Sequence, residues 1–205
     1  MKPEQHDERF ERWAASYDRS ILQRLMFEPI HEAVLTAFSA VSSSPHDVLD
    51  VGCGTGRLLE TAARRWGEAR LTGVDLSEAM IAEAQRKHAG RARFTLKHGG
   101  ASALPLESSS FDAAFSTMSF HHWGDQAAGI REVARVLRLG GLFVLADVDV
   151  PFLSLLRPFL RWNKQENFQS PETIQRFLEE AGLSIVMRRR FWRIFRVQLF
   201  VARKS

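Results

Sequence analysis

The chain has 205 residues, of which 45% are hydrophobic and 25% are charged, and its formal net charge is +4. These values are typical of one globular domain with a sizeable core, and the small positive excess does not identify a partner. The single cysteine, Cys53, excludes an internal disulfide and a cysteine-based metal site. The N-terminus lacks the apolar segment of a signal peptide, and the apolar region 141–160 is interrupted by charges and prolines. We therefore expect a cytoplasmic protein without a membrane span.

Two helices are predicted at the start of the chain. The first is indicated by apolar residues at helical spacing, Phe10, Trp13, Ala14 and Tyr17. The second covers residues 21–40 and has an apolar face formed by Ile30, Val34, Leu35 and Phe38. The segment SSSPHD at 42–47 separates this helix from the first strand.

Strands and helices then alternate along the chain. Apolar, β-prone runs predict strands at 47–51, 69–75, 92–98, 111–116 and 141–148. Helical patterns lie between them at 56–66, 77–89 and 125–138, and Gly140 is placed to end the last of these helices. Such alternation predicts a doubly wound parallel sheet with helices on both faces.

The C-terminal part has a different pattern. After a predicted helix at 152–162, Ser170 and Pro171 are suited to begin another helix, and Gly182 is suited to end it. Two β-rich runs follow at 183–192 and 195–203, close enough in sequence to form an antiparallel hairpin.

A glycine-rich turn follows the first strand in the sequence VLDVGCGTGRLLE, residues 48–60. Gly52, Gly54 and Gly56 permit positive φ angles and a close approach of a ligand to the backbone. In open α/β sheets, ligands bind at the carboxyl ends of strands where the strand order reverses. The turn therefore predicts a nucleotide site.

The chemistry around this turn narrows the type of nucleotide. A dinucleotide fingerprint, G-x-G-x-x-G, that begins at Gly52 would need a third glycine at position 57, where this chain has Arg57. The Lys-Ser/Thr pair of a P-loop is also absent. Asp50 would repel a pyrophosphate and attract an ammonium group. Asp75 ends the second strand, where related folds place the acid that binds ribose hydroxyls, although it could instead serve the start of the next helix. A nucleoside that carries an amino acid fits these features best.

Four segments together resemble class I S-adenosylmethionine-dependent methyltransferases, in particular the small-molecule branch that includes ubiquinone and menaquinone biosynthesis enzymes. The segments are DVLDVGCGTG, GVDLS, LPLESSSFDAAFS and REVARVLRLGGLFVLAD. The resemblance covers about residues 9–203 and implies a Rossmann-like, seven-stranded sheet, mostly parallel, with a C-terminal antiparallel hairpin. It also implies S-adenosyl-L-methionine as cofactor, S-adenosyl-L-homocysteine as product, and no metal.

The resemblance also implies a set of cofactor-binding residues. The glycines, with Cys53 among them, would line the methionine part, Asp50 would lie near its amino group, and Asp75 would bind the ribose. The residues that would flank the adenine or the reactive end are Leu76, Met80, Ser116 and Tyr17, although Tyr17 could equally be a core aromatic residue.

One position departs from the family pattern. Gly100 stands where the family usually has an acid that accepts from the adenine amine. Backbone groups of Gly100 and Ala101, or the side chain of Ser102, could hold the adenine instead. Alternatively, the affinity for the cofactor is reduced, since the loss of a charged hydrogen bond would cost about 1.5–3 kcal/mol of binding free energy.

Two adjacent histidines are candidates for a catalytic base. His121 and His122 follow the fourth strand, and the ordinary pKa of histidine, about 6.5, suits removal of a proton from an acidic acceptor. Asp147 and Asp149 are second candidates, and either kind of residue could instead cap local structure.

The expected organisation is a single domain, 1–205, with a helical cap at 1–45, a cofactor-binding core at 46–148, a lid at 149–181 and a hairpin at 182–205. Apolar residues of the lid would select a small apolar or aromatic acceptor unless they simply pack on the sheet: Phe152, Leu155, Leu156, Phe159, Trp162 and Phe168.

Two other functions remain open. Arginines near the C-terminus leave room for RNA methylation, although a nucleic-acid partner is disfavoured: Arg188, Arg189, Arg190, Arg193 and Arg196. The replacement at Gly100 leaves room for a protein that binds the cofactor without catalysis.

Overall fold

The computed structural model describes residues 21–149, 167–192 and 196–205. Its strands are β1 Asp47–Val51, β2 Arg70–Asp75, β3 Phe94–His98, β4 Phe111–Thr117, β5 Leu137–Val148, β6 Leu183–Trp192 and β7 Arg196–Lys204. Its helices are α1 Ile21–Ser39, α2 Arg57–Arg65, α3 Glu78–Lys87, α4 Gln126–Val136, α5 Pro171–Glu180 and a 3₁₀ helix at Phe120–His122. The helices predicted at 10–17 and 152–162 lie outside the described residues.

All seven of these strands form one sheet in the order β3-β2-β1-β4-β5-β7-β6. The first five strands in sequence are parallel, whereas β7 runs antiparallel to both β5 and β6. The predicted Rossmann-like sheet with a C-terminal antiparallel hairpin is therefore confirmed. The strand order reverses between β1 and β4, so the glycine turn after β1 lies at the topological switch point.

Apolar side chains cover both faces of the sheet. One cluster joins α1 and α2 to the sheet and includes Phe38, Leu59 and Phe115. The other lies beneath α4 and α5 and includes Ile130 and Leu178. Because β1 is buried on both faces, its carboxyl end is held rigidly where the glycine turn begins. No helix in the described segments is long and apolar enough to span a membrane.

The predicted end of α4 is wrong. The sequence places that helix up to residue 138, but the structure ends it at Val136, and Leu137 already pairs with Phe111 of β4. Leu137 is fully buried, so an extended conformation places its side chain in the core and its backbone in the sheet. Gly140, with φ +77°, belongs to the irregular part of β5 rather than to a helix end.

The amino ends of the strands are joined by ion pairs far from the glycine turn. The side chain of Asp112 accepts hydrogen bonds from the backbone N–H groups of His46 and Asp47, at 2.9 Å each. Arg138 donates to Asp112 at 2.6 Å. Burial alone would raise the pKa of Asp112, but these bonds outweigh burial and lower it.

Candidate active site

The first part of the glycine turn is fixed to β2. The N–H groups of Gly52 and Cys53 donate to the carbonyl of Val74, at 2.8 and 3.1 Å. Gly52 has φ +75°, and a Cβ at this position would collide with Oγ of Ser119. Glycine is therefore required here both by the backbone conformation and by the hydroxyl packed against it.

Gly54 connects the turn to the acid at the end of β2. Its N–H donates to Oδ2 of Asp75 at 2.7 Å, and Oδ1 of Asp75 accepts from the N–H of Ser77 at 2.9 Å. Gly54 has φ +53°, and no described atom lies within 4 Å of the position that a Cβ would take. The backbone at Gly54 is thus open to a ligand that also reaches Asp75.

Gly56, the third glycine of the turn, is required because of its packing against a neighbouring helix. Gly56 has φ +80°, and a Cβ there would lie 2.9 Å from Nε2 of His88. Gly56 thereby allows α2 to begin against α3, whose last turn precedes His88. Its contribution to a methionine-binding surface stays a prediction.

Asp50 is a buried acid beneath the turn. Its residue is 2% exposed, and its Oδ1 has no hydrogen-bond partner among the described residues. Burial, and secondarily the nearby carboxylate of Asp75, raise the pKa of Asp50 well above its usual range. A cation placed beside Asp50 would offset this penalty, which matches the prediction of an ammonium group at this position.

The residues predicted near the adenine surround the end of β2. Leu76 is half-buried and Met80 is buried in the first turn of α3, where its N–H donates to the N-cap Ser77. The N–H of Gly99 donates to the carbonyl of Asp75 at 2.9 Å, which brings the following residues 100–102 to the same edge. Within that segment Gly100 and Ser102 are half-buried and Ala101 is buried.

A pair of serines connects β4 to the glycine turn. Oγ of Ser116 lies 2.9 Å from Oγ of Ser119, which in turn donates to the carbonyl of Val51 at 3.0 Å. Since the Ser119 hydroxyl donates to Val51, the Ser116 hydroxyl is the donor within the pair. Sequence reasoning selected Ser116 but missed Ser119, whose only signal is its spacing of three residues from Ser116.

His121 and Asp147 form a buried pair at the carboxyl ends of β4 and β5. Nδ1 of His121 lies 2.7 Å from Oδ1 of Asp147, and the backbone N–H of His121 donates to Oδ2 at 2.8 Å. The sequence offered these two residues as separate candidates, and the fold makes them one unit. A carboxylate at Nδ1 favours the tautomer with its proton on Nδ1, so that the lone pair is on Nε2.

The protein family described as Methyltransferase domain matches residues 48–141. The chain is 30% identical over 152 residues to O-methyltransferase resE of Aspergillus sclerotiorum, a match that covers 71% of this chain and 57% of that protein. It is 29% identical over 168 residues to demethylmenaquinone methyltransferase of Staphylococcus aureus, which covers 70% of each chain. A SAM-dependent methyltransferase structure from Aquifex aeolicus has a TM-score of 0.76 at 19% identity, covering 98% of this chain and 100% of that one.

Residues 48–141 of the chain form a methyltransferase domain. The predicted family is thereby confirmed. The match spans less than two thirds of the length of the Aspergillus relative.

Aromatic contacts surround the His121 ring of this methyltransferase. The ring of Phe168 stacks on His121 with centroids 4.5 Å apart, and the ring of His122 lies 4.0 Å from it. The N–H of Asn167 also donates to the carbonyl of His121 at 2.8 Å. Phe168 is therefore the one member of the predicted lid that the described structure places in the site. The other five apolar residues named for the lid, all between 152 and 162, and Tyr17 lie outside the described residues.

Three glutamines, which sequence reasoning missed, hold the segment before α5 in place. Gln126 donates to the carbonyls of Phe120 and Asn167, and Gln169 donates to the side chain of Gln126 at 2.7 Å. Gln198 of β7 donates to the carbonyl of Gln169 at 3.1 Å. Amide side chains that bond to backbone carbonyls and to each other in this way fix backbone positions, so they keep Phe168 against His121.

Asp149 lies beyond Asp147 at the end of β5 and faces two arginines of the hairpin. Its Oδ2 is 3.2 Å from Nε of Arg190 and 2.9 Å from Nε of Arg196, and its side chain is fully buried. Neither carboxylate oxygen of Asp149 makes a hydrogen bond of good geometry to a described residue. Of the two aspartates considered as bases, Asp149 is thus paired with two arginines, whereas Asp147 is paired with the imidazole of His121.

The arginines of β6 do not form one basic surface. Arg188, Arg189 and Arg190 pair in register with successive residues of β7, so their side chains alternate between the two faces of the sheet. Arg188 also lies 3.6 Å from Glu172.

Proposed function

We propose that the protein transfers a methyl group from S-adenosyl-L-methionine to a small acceptor with an apolar or aromatic part, releasing S-adenosyl-L-homocysteine. The observation that carries the proposal is the joint placement of Asp50, Gly54 and Asp75 at the switch point of the sheet. A buried acid without a partner on one oxygen, an open glycine backbone and an acid at the end of β2 lie together at the carboxyl ends of β1 and β2.

These residues fit the chemistry of the cofactor. Asp50 would take the α-ammonium group, which removes the cost of an unpaired buried carboxylate. Gly54 would let the amino-acid part approach the backbone, which a larger residue would prevent. Asp75 accepts N–H groups from the glycine turn and from the start of α3, which fixes its carboxylate at the end of β2, where it would bind the ribose hydroxyls.

The bound cofactor supplies a methyl group activated by a sulfonium, and the protein aligns the acceptor with it and excludes water. Ser116 lies at the end of β4 with its hydroxyl directed to Ser119. This pair keeps the end of β4 against the glycine turn and thereby fixes the distance between the donor side and the acceptor side.

His121 is the residue that we assign to proton removal. Asp147 retains the proton on Nδ1, so Nε2 can accept a proton from an acidic acceptor such as a phenol. The same carboxylate stabilises the imidazolium that forms. We prefer His121 to His122 as the base because Nδ1 of His121 lies 2.7 Å from Oδ1 of Asp147.

The two alternative functions are supported less well. RNA methylation would be favoured by a continuous basic surface, but the β6 arginines alternate between faces and Arg188 and Arg190 have acidic neighbours. A protein that binds the cofactor without catalysis would have no need of the buried His121–Asp147 pair.

The proposal is tested by calorimetric titration with S-adenosylmethionine, S-adenosylhomocysteine and NAD. We expect the first two to bind and Asp75→Ala to weaken both strongly. Asp112→Ala is the matched control, since it removes a hydrogen-bonded acid at the opposite, amino end of the strands of the same sheet. Binding of NAD alone, or equal affinities in the two variants, would contradict the proposal.

A further inference from the structure

We propose that Arg190 and Arg196 bind the carboxylate of an acidic methyl acceptor. This inference rests on the proposed function, because it concerns the acceptor side of the same site. The two arginines belong to the C-terminal hairpin, which carries no part of the cofactor-binding turn. They would therefore define the chemical class of the acceptor rather than the donor.

The two arginines lie on the same face of the sheet as the His121–Asp147 pair. Asp147 pairs in register with Gln198 of β7, and Gln198 pairs with Arg190 of β6, so these three side chains lie on one face of the sheet. Arg190 is thus two strands from Asp147, roughly 10 Å away at the usual strand spacing. Arg196 lies beside Asp149, two residues or about 7 Å beyond Asp147 along β5.

This separation suits one small molecule that spans both features. An acid whose reacting atom lies at His121 and whose carboxylate lies at the arginines would need a spacer about as long as an aromatic ring with its substituents. Trp192 pairs across the hairpin with Arg196 and has 68% of its surface exposed, so an exposed aromatic side chain lies on the same face of the hairpin as Arg196.

The guanidinium groups of Arg190 and Arg196 have unused hydrogen-bonding capacity. A guanidinium has five N–H donors, and the contacts of both guanidinium groups with Asp149 are ion pairs without good hydrogen-bond geometry. Their side chains are 45% and 30% exposed, whereas the carboxylate that they flank is fully buried. Arg196 and Arg190 are therefore anchored on one side by charge and keep donors for a ligand on the other.

The net charge of Arg190, Arg196 and Asp149 favours a ligand with a single negative charge. Two guanidinium groups and the Asp149 carboxylate leave one net positive charge, which matches a monoanion such as a carboxylate. A phosphate, with close to two negative charges, would require the second positive charge that Asp149 already compensates. Asp149 would in this way set the charge of the acceptor that the site takes.

Benzoate and benzamide are suitable probes, because they have the same shape and differ in charge. Each is titrated into the protein, with and without S-adenosylhomocysteine, and binding is followed by ligand-observed NMR. We expect benzoate to bind and benzamide to bind at least about tenfold more weakly, since hydrogen bonds to charged groups carry most of the affinity.

Three variants test the residues. Arg190→Gln and Arg196→Gln should each weaken benzoate binding roughly tenfold or more and leave benzamide unchanged. Arg189→Gln is the matched control, because it removes the neighbouring arginine whose side chain lies on the opposite face. Its benzoate affinity should equal that of the wild type.

A fourth variant protects the test against unfolding. Asp149→Asn removes the compensating charge, and we expect it to bind inorganic phosphate more tightly than the wild type does. A gain of affinity cannot arise from a damaged fold.

The outcomes are separable from the proposed function. Equal affinities for benzoate and benzamide, loss of benzoate binding in Arg189→Gln alone, or tighter binding of phosphate than benzoate to the wild type would overturn the inference. Failure of S-adenosylhomocysteine to bind would instead contradict the proposed function, and the benzoate titration without it would still decide the anion site.

Discussion

Nδ1 of His121 lies 2.7 Å from Oδ1 of Asp147, and the same carboxylate accepts the backbone N–H of His121 through its second oxygen. One acid thus fixes both the main chain and the ring of the residue that follows β4. Phe168 stacks on the ring and restricts its rotation further. A histidine held at these three points has one orientation, which a base requires.

This pair gives a prediction for catalysis. Asp147→Asn should lower kcat on an acceptor with an acidic proton by about 100-fold or more, because general-base catalysis of this kind contributes 10²–10⁴. His121→Ala should lower it similarly, and His122→Ala much less. Release of S-adenosylhomocysteine measures turnover. Nitrogen NMR of the neutral imidazole should show a smaller fraction of the tautomer protonated on Nδ1 in Asp147→Leu than in the wild type. An unchanged fraction would contradict the assigned role.

Asp50 gives a prediction in which stability and binding move in opposite directions. Its folded-state pKa is raised above the usual 3.8, so above that pH the unfolded chain has lost a proton that the folded chain keeps. The free energy of unfolding therefore decreases as pH rises through this window. Asp50→Asn should remove the decrease, and the variant should be more stable than the wild type at pH 8 without cofactor.

The affinity for S-adenosylmethionine should also depend on Asp50. If Asp50 holds the ammonium group, Asp50→Asn should bind S-adenosylmethionine more weakly, and the wild type should release protons on binding. Urea denaturation at pH 5 and pH 8, and calorimetry in buffers of different ionisation enthalpy, check the two parts. Unchanged affinity in a stabilised variant would remove Asp50 from the cofactor site.

Gly54 can be compared with a glycine of nearly matched geometry. Gly54 and Gly140 both have positive φ, and at neither position would a Cβ meet a described atom within 4 Å. Alanine should therefore cost each site about 1–2 kcal/mol of stability through backbone strain alone. Only Gly54→Ala should also weaken S-adenosylmethionine binding, as measured by calorimetry below both melting temperatures. Equal affinities in the two variants would show that Gly54 does not contact the ligand.

His31 gives a prediction for acid stability. Burial, and then the positive charge of Arg57, lower the pKa of His31 from 6.5 to about 3. Between these values the unfolded chain binds a proton that the folded chain does not, so stability falls as the pH is lowered through this range. The loss amounts to about 1.4 kcal/mol per pH unit below 6.5.

His31→Leu should flatten the unfolding free energy between pH 7 and pH 5, as measured by urea denaturation. His46→Leu is the matched control at an exposed histidine and should keep the wild-type dependence. A wild-type slope in His31→Leu would show that other groups cause the acid sensitivity.

The parts of the fold that depend on local patterns could be predicted from the sequence. The strand before the glycine turn, the helix from Ser170 to Gly182 and the C-terminal hairpin follow from hydrophobic spacing and from end signals. Contacts between residues far apart in sequence could not be predicted, because the packing of loops on strand ends brings His121 to Asp147 and Gln169 to Gln198. The end of α4 was missed for a related reason, since Leu137 is extended by its pairing with Phe111. The charge state of Asp50 depends on burial, which a single sequence does not display.

The position of β7 inside the sheet has a consequence for how the protein is made. Residues 196–204 follow every other described strand in sequence, yet they lie between β5 and β6. During synthesis β5 therefore remains an unpaired edge until this segment has left the ribosome. Since Arg196 and Gln198 belong to it, the acceptor side of the site is completed only after the donor side, so a nascent chain should gain affinity for the cofactor before it gains affinity for an acid.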